Sequence, residues 1–79
     1  MKSLLEFIVR NIVQFPDEVV ITQATNQEGV EIFNILVNPE DMGRVIGKGG
    51  KVINSIRTIM RVKAASSKMR FLVELTQIS

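Results

Sequence analysis

Apolar residues Leu4, Leu5, Ile8, Val9, Ile12 and Val13 recur at spacings of one, three and four, so the first segment reads as an amphipathic helix with one buried stripe. Ser3 followed by Glu6 has capping-box spacing, in which hydroxyl and carboxylate each satisfy an unpaired amide at the helix start. Pro16 is the expected stop, because proline has no N–H to donate and disfavours helical geometry in the residue before it. The period then changes. Val19 to Thr25 is rich in β-branched residues and Val30 to Val37 is a longer apolar run, predicting two strands joined through Asn26-Gln27-Glu28-Gly29 as a hairpin turn. Asn34 interrupts the second run, which predicts a sheet covered on one side only.

Asn38 as cap, Pro39 at the first helical position and Glu40 and Asp41 at the positive end of the dipole predict a short helix reaching about Ile46. Gly47-Lys48-Gly49-Gly50 breaks it. A second helix follows from about Lys51 to Ala65, with Val52, Ile53, Ile56, Ile59 and Met60 as its buried stripe and Asn54, Arg57, Thr58 and Arg61 on the polar face. Ser66-Ser67-Lys68 turns into a last strand, Met69 to Gln77, where Met69, Phe71, Val73 and Leu75 alternate with Arg70, Glu74 and Thr76. The pattern is α+β, in the order α-β-β-α-α-β. The simplest architecture that buries every stripe is an antiparallel three-stranded sheet with three helices packed on one face. No repeat or linker interrupts the chain, so 1–79 is expected to be a single domain.

Composition narrows the chemistry. With 79 residues, 46% hydrophobic and 23% charged, the chain is globular with a modest core. It has no Cys and no His, which removes disulfides, a thiolate zinc site, the commonest general base and the most nucleophilic side chain. No enzyme, metal, cofactor or small-molecule substrate is expected. Apolar runs never exceed three residues, so neither a membrane span nor a signal peptide is expected, and the protein is placed in the cytoplasm. Charge is split along the chain: residues 1–41 sum to −5, and residues 42–79, where Glu74 is the lone acid, sum to +7. A cationic half suits an anionic partner, nucleic acid above all; a solvated, dipolar surface is the alternative.

Three glycines in four residues call for close backbone approach or unusual dihedrals, since each costs about 1 kcal/mol against alanine where helix is the alternative. Bare amides beside a helix N-terminus, with Lys48 and Lys51, suit a phosphate. A Walker A loop is excluded, because three residues separate Gly43 from Gly47 and Lys48 is followed by Gly49. A dinucleotide fingerprint is excluded by Val52 and by the preceding helix. What remains is a Gly-x-x-Gly turn between two helices, the loop with which KH domains clamp the backbone of about four nucleotides.

Val45-Ile46-Gly47-Lys48-Gly49-Gly50-Lys51-Val52-Ile53 resembles the KH signature, and the order of elements resembles the type II arrangement over essentially the whole chain. With Asp41-Met42-Gly43-Arg44 ahead of the loop, it is similar to the small bacterial KH-domain RNA-binding proteins of the KhpA family. That resemblance implies a cytoplasmic RNA-binding, RNA chaperone-like protein linked to cell shape and cell-wall organisation, which self-associates and pairs with a larger KH-containing Jag-type protein. It implies that Gly47, Lys48, Gly49 and Gly50 hold the sugar-phosphate backbone of single-stranded RNA, flanked by Arg44 and Lys51. Bases would lie between the helices and the sheet edge, with Ile46, Val52 and Ile53 as apolar floor or as core. Arg57 and Arg61 either extend the basic surface or form a solvated helix face. Ile59 and Val62 border the last helix's stripe and are the expected partner contact, with ordinary packing as the alternative. Gly49 leaves one loop position without a side chain.

The chain has no Trp or Tyr, and Phe7, Phe15, Phe33 and Phe71 are all expected in the core, so no aromatic platform for bases is foreseen. Binding by one domain should be weak and salt-dependent, which gives dimerisation a purpose. A second functional class, a protein-interaction subunit whose scaffold mainly dimerises and recruits the larger partner, stays open.

Overall fold

The first apolar stripe forms helix α1 (Lys2–Arg10), with Leu5 and Val9 fully buried. A computed structural model describes residues 1–79. The capping box does not form: α1 begins directly after Met1, no side chain caps it, and Ser3 lies exposed inside the first turn. Glu6 instead pairs with Arg10 one turn on, at 3.3 Å. Nor does Pro16 end α1, which stops at Arg10; the Asn11 side-chain amide donates to the Phe7 carbonyl at 2.7 Å, a local bond that competes with further helix. Ile12 and Val13 still pack against the core, and Pro16 opens a single 3-10 turn, Pro16–Glu18.

Strands β1 (Val20–Thr25) and β2 (Glu31–Val37) pair antiparallel, with Ile21 opposite Ile35 and Gln23 opposite Phe33. Their turn is closed by Asn26, whose side-chain oxygen accepts from the N–H groups of Glu28 and Val30 at 2.9 and 3.0 Å. Asn38 acts as the cap that its sequence context predicts, accepting from the Glu40 N–H at 2.8 Å. The 3-10 turn that it caps, Pro39–Asp41, leads into helix α2 (Met42–Ile46). Helix α3 (Lys51–Ala65) has the expected bounds, and strand β3 (Phe71–Gln77) starts slightly later than Met69.

The sheet order is β1-β2-β3, and β3 lies parallel to β2, with Phe33 beside Val73. The expected all-antiparallel sheet is therefore corrected to a mixed one. The physical reason lies in the connection: residues 38–70 carry two helices, long enough to return the chain to the starting end of the sheet, as parallel pairing requires.

Helices cover one face only, as foreseen. Ile21, Phe33, Ile35, Val37 and Val73 point toward Leu5, Val9, Val45, Ile53, Ile56 and Met60 in one core cluster. Each such side chain contributes about 1.5–3 kcal/mol by leaving water. The other face carries the cross-strand rows Val20–Leu36–Thr76, Thr22–Asn34–Glu74 and Ala24–Ile32–Leu72. Asn34 there accepts from the Thr76 hydroxyl at 3.0 Å. Two residues expected in the core are exposed. Phe7 is 68% exposed, because it stands about 200° around α1 from both Leu5 and Val9. Ile59 is 46% exposed, lying about 100° around α3 from buried Met60. No helix is long and apolar enough to cross a membrane.

Candidate nucleic-acid interface

Between α2 and α3 the backbone takes a path that ordinary residues refuse. Gly47 has φ +75° and ψ 171°, a combination essentially restricted to glycine. A Cβ placed there would collide with the Val52 side chain and come within 2.8 Å of the Val52 amide nitrogen. Gly47 thus lets the loop lie against the first turn of α3, over half-buried Val52. Lys48–Gly50 then form one 3-10 turn, closed by the Gly50 N–H donating to the Gly47 carbonyl at 3.1 Å. No side chain caps α3, so the dipole and the amides at its start face the loop without a built-in anion. Lys48, Gly49 and Lys51 are exposed, Arg44 projects from α2, and no acidic residue occurs between Met42 and Val73. Ile46, the last residue of α2, is part-exposed beside them.

A cleft of about 260 Å³ runs between α3 and the free edge of β3, lined by Arg57, Arg61, Phe71, Leu72 and Val73. The Arg70 carbonyl and the Ile78 N–H bond toward β2, so alternation turns the backbone groups of Phe71 and Val73 outward to the cleft. Arg57 does not stand on a solvated face. Half-buried, its guanidinium donates to the Asn54 side-chain oxygen at 3.1 Å and to the Val73 carbonyl at 3.0 Å, strutting α3 against β3. Arg61, one turn on, is exposed and unpaired. Phe71 and Leu72 escape sequence reasoning, since strand alternation identifies faces and says nothing about which strand is an edge. Ile53 is buried and belongs to the core.

The outer face of α3 presents a shallow hollow lined by Lys51, Asn54, Ser55, Thr58 and Ile59. Val62, 74% exposed, stands one turn beyond Ile59 on that side. The structure therefore separates the expected residues into three neighbourhoods: the loop with Arg44, Ile46, Lys51 and Val52; the cleft with Arg57 and Arg61; and the outer α3 face with Ile59 and Val62.

Asp41 is the unforeseen member. Expected only as a negative charge at a helix start, it is fully buried, the one charged residue that is. Its two carboxylate oxygens accept the N–H groups of Gln14 and Phe15 at 2.8 and 3.0 Å, and the Arg44 Nε lies 3.7 Å from Oδ1. Nothing local distinguishes it from exposed Glu40.

Comparison with known proteins agrees with this geometry. The family model described as KhpA/KhpB, KH domain, matches residues 2–75. The chain is 41% identical over 75 residues to the RNA-binding protein KhpA of Clostridium acetobutylicum, covering 95% of this chain and 99% of that one. It is 44% identical over 68 residues to the RNA-binding protein KhpA of Thermotoga maritima, covering 86% and 89%. With the RNA-binding protein KhpA of Treponema pallidum it shares 36% identity over 74 residues, covering 94% and 91%. A glycine turn between two helices, an α-β-β-α-α-β order and a match along almost the whole chain lead to one conclusion: this chain belongs to the KhpA/KhpB KH-domain family.

Proposed function

We propose that this protein binds single-stranded RNA in the cytoplasm, in an RNA chaperone-like role that involves no catalysis, with the Gly47-Lys48-Gly49-Gly50 turn as backbone clamp. The observation that carries this reading is that turn: glycine backbone with positive φ at the uncapped start of α3, beside Lys48 and Lys51, with Arg44 on the helix before it and no acidic residue in the chain from Met42 to Val73. Phosphates sit on the amides and lysines. Bases follow the cleft, where Phe71, Leu72 and the outward backbone of β3 offer contact and Arg61 adds charge; Arg57 frames it, and Ile46 and Val52 lie at the loop end. The name RNA-binding protein carried by the relatives supports the same reading.

The test is fluorescence anisotropy of a short single-stranded RNA titrated at two salt concentrations, beside a Lys48→Asp, Gly49→Asp variant whose folding is checked by circular dichroism. Binding should weaken with salt by a log–log slope of about 0.7 per phosphate contact, and should vanish in the variant. Undiminished affinity in a folded variant would overturn the clamp.

A second reading rests on the outer face of α3, where Ile59 and Val62 are exposed apolar residues. There the domain self-associates or captures a larger KH-containing, Jag-type partner. Val62→Asp should abolish capture while the loop variant retains it; the opposite pattern counts against this reading.

A further inference from the structure

Asp41 is a buried carboxylate that the clamp as described does not use. Burying a charge is unfavourable unless hydrogen bonds and a counter-charge meet it. Gln14 and Phe15, on the connection between α1 and β1, supply two N–H groups, and Arg44 supplies the counter-charge through Nε. The Arg44 side chain nevertheless stays 57% exposed. A guanidinium is a rigid plane: when its Nε side is turned toward a carboxylate, the edge formed by its two Nη groups is directed elsewhere. Arg44 reaches back along α2 to Asp41, so that remaining edge stands on the exposed side of α2, ahead of the glycine turn. Two parallel N–H donors on a planar fork match a phosphate.

We propose that Asp41 is a positioning residue for the RNA clamp, holding the Arg44 guanidinium on α2 ahead of the loop so that its free edge receives a phosphate of the strand entering the clamp. The inference rests on the RNA-binding reading above. It gives Arg44 a role that a lysine fills poorly, because an ammonium that meets the carboxylate has no planar fork of two parallel donors left for the phosphate.

The experiment is an anisotropy titration of the full chain with short single-stranded RNA across a salt series, for the wild type and for Arg44→Lys, Arg44→Gln, Asp41→Asn and the Asp41→Asn, Arg44→Gln double variant, each checked for folding by circular dichroism. Arg44→Gln should lose affinity several-fold, and the salt slope should fall by about 0.7, one single-strand phosphate contact; Arg44→Lys, which keeps the charge and loses the fork, should lose affinity with a smaller fall in slope. Asp41→Asn should reproduce the fall in slope of Arg44→Gln, and the double variant should bind no worse than Arg44→Gln alone. A purely structural Asp41 would lower stability and leave the slope of the folded protein unchanged. Wild-type affinity and slope in Arg44→Lys, or equal or tighter binding by folded Asp41→Asn, would overturn the proposal. Should Asp41→Asn not fold, the lysine and glutamine variants at the exposed Arg44 still decide. If the wild type binds and the loop variant does not, a neutral Arg44→Lys sinks only the positioning role; if the wild type itself binds no RNA, both readings fall.

Discussion

Gly47 and Gly49 share a positive φ yet differ in what surrounds them, and the difference separates backbone strain from steric collision. At Gly47 the dihedrals are essentially glycine-only and a Cβ would meet Val52; at Gly49, φ is +63° and no atom lies within 4 Å of the added carbon. Gly49→Ala should therefore lose about 1–2 kcal/mol, the left-handed penalty alone. Gly47→Ala should lose more, since about 1–3 kcal/mol of strain comes with the collision. Urea denaturation of both variants checks the order, and equal losses would mean that Val52 yields freely. The glycine motif was legible in the sequence because its chemistry is local, carried by residues adjacent in the chain. Asp41 was not: its partners Gln14 and Phe15 are remote in sequence, and only the packing of the α1–β1 connection against α2 makes an acid at a helix start into a buried one.

At the scale of elements, α1 depends on which side of the helix each apolar residue occupies. Leu5→Ala should cost about 2–5 kcal/mol by opening a core cavity, whereas Phe7→Ala should stay within about 0.5 kcal/mol, as an exposed surface change does. Thermal or urea unfolding of the pair distinguishes them; a large loss at Phe7 would place it in a contact that the isolated chain lacks. The β1–β2 hairpin carries its own pH signature. Hydrogen bonds donated by Thr25 and then Gln23 hold the Glu31 carboxyl below its ordinary value of 4.5. A depressed folded-state pKa stabilises the hairpin at pH values above the ordinary one, and that contribution is lost as pH falls through the depressed value. NMR titration should show Glu31 protonating below the ordinary value of 4.5, and Thr25→Val should move it back upward. Element types were legible because periodicity reports which side of a helix or strand is buried. The end of α1 and the direction of β3 were not, since Asn11 ended the helix before proline was reached and strand direction depends on where a crossover delivers the chain.

For the molecule as a whole, the cations behind the net +7 of residues 42–79 lie on α2, the loop, α3 and the turn into β3, so one copy meets RNA through few phosphates and should release it readily in salt. Two copies joined through Ile59 and Val62 would change that without adding a contact to either clamp, because the second binding event becomes intramolecular. The consequence depends on RNA length. An oligonucleotide long enough for one glycine turn, about four nucleotides, should bind wild type and Val62→Asp alike, since Val62 lies outside the loop and the cleft. An RNA long enough to span two clamps should bind the wild type at least tenfold more tightly than Val62→Asp, in keeping with the gain that linkage gives. Sedimentation velocity on the same samples should show self-association in the wild type alone. If the two proteins bind the long RNA equally while differing in assembly state, the α3 surface serves partner capture and each clamp acts singly. If Val62→Asp loses the short RNA too, the outer face of α3 is itself part of the RNA path.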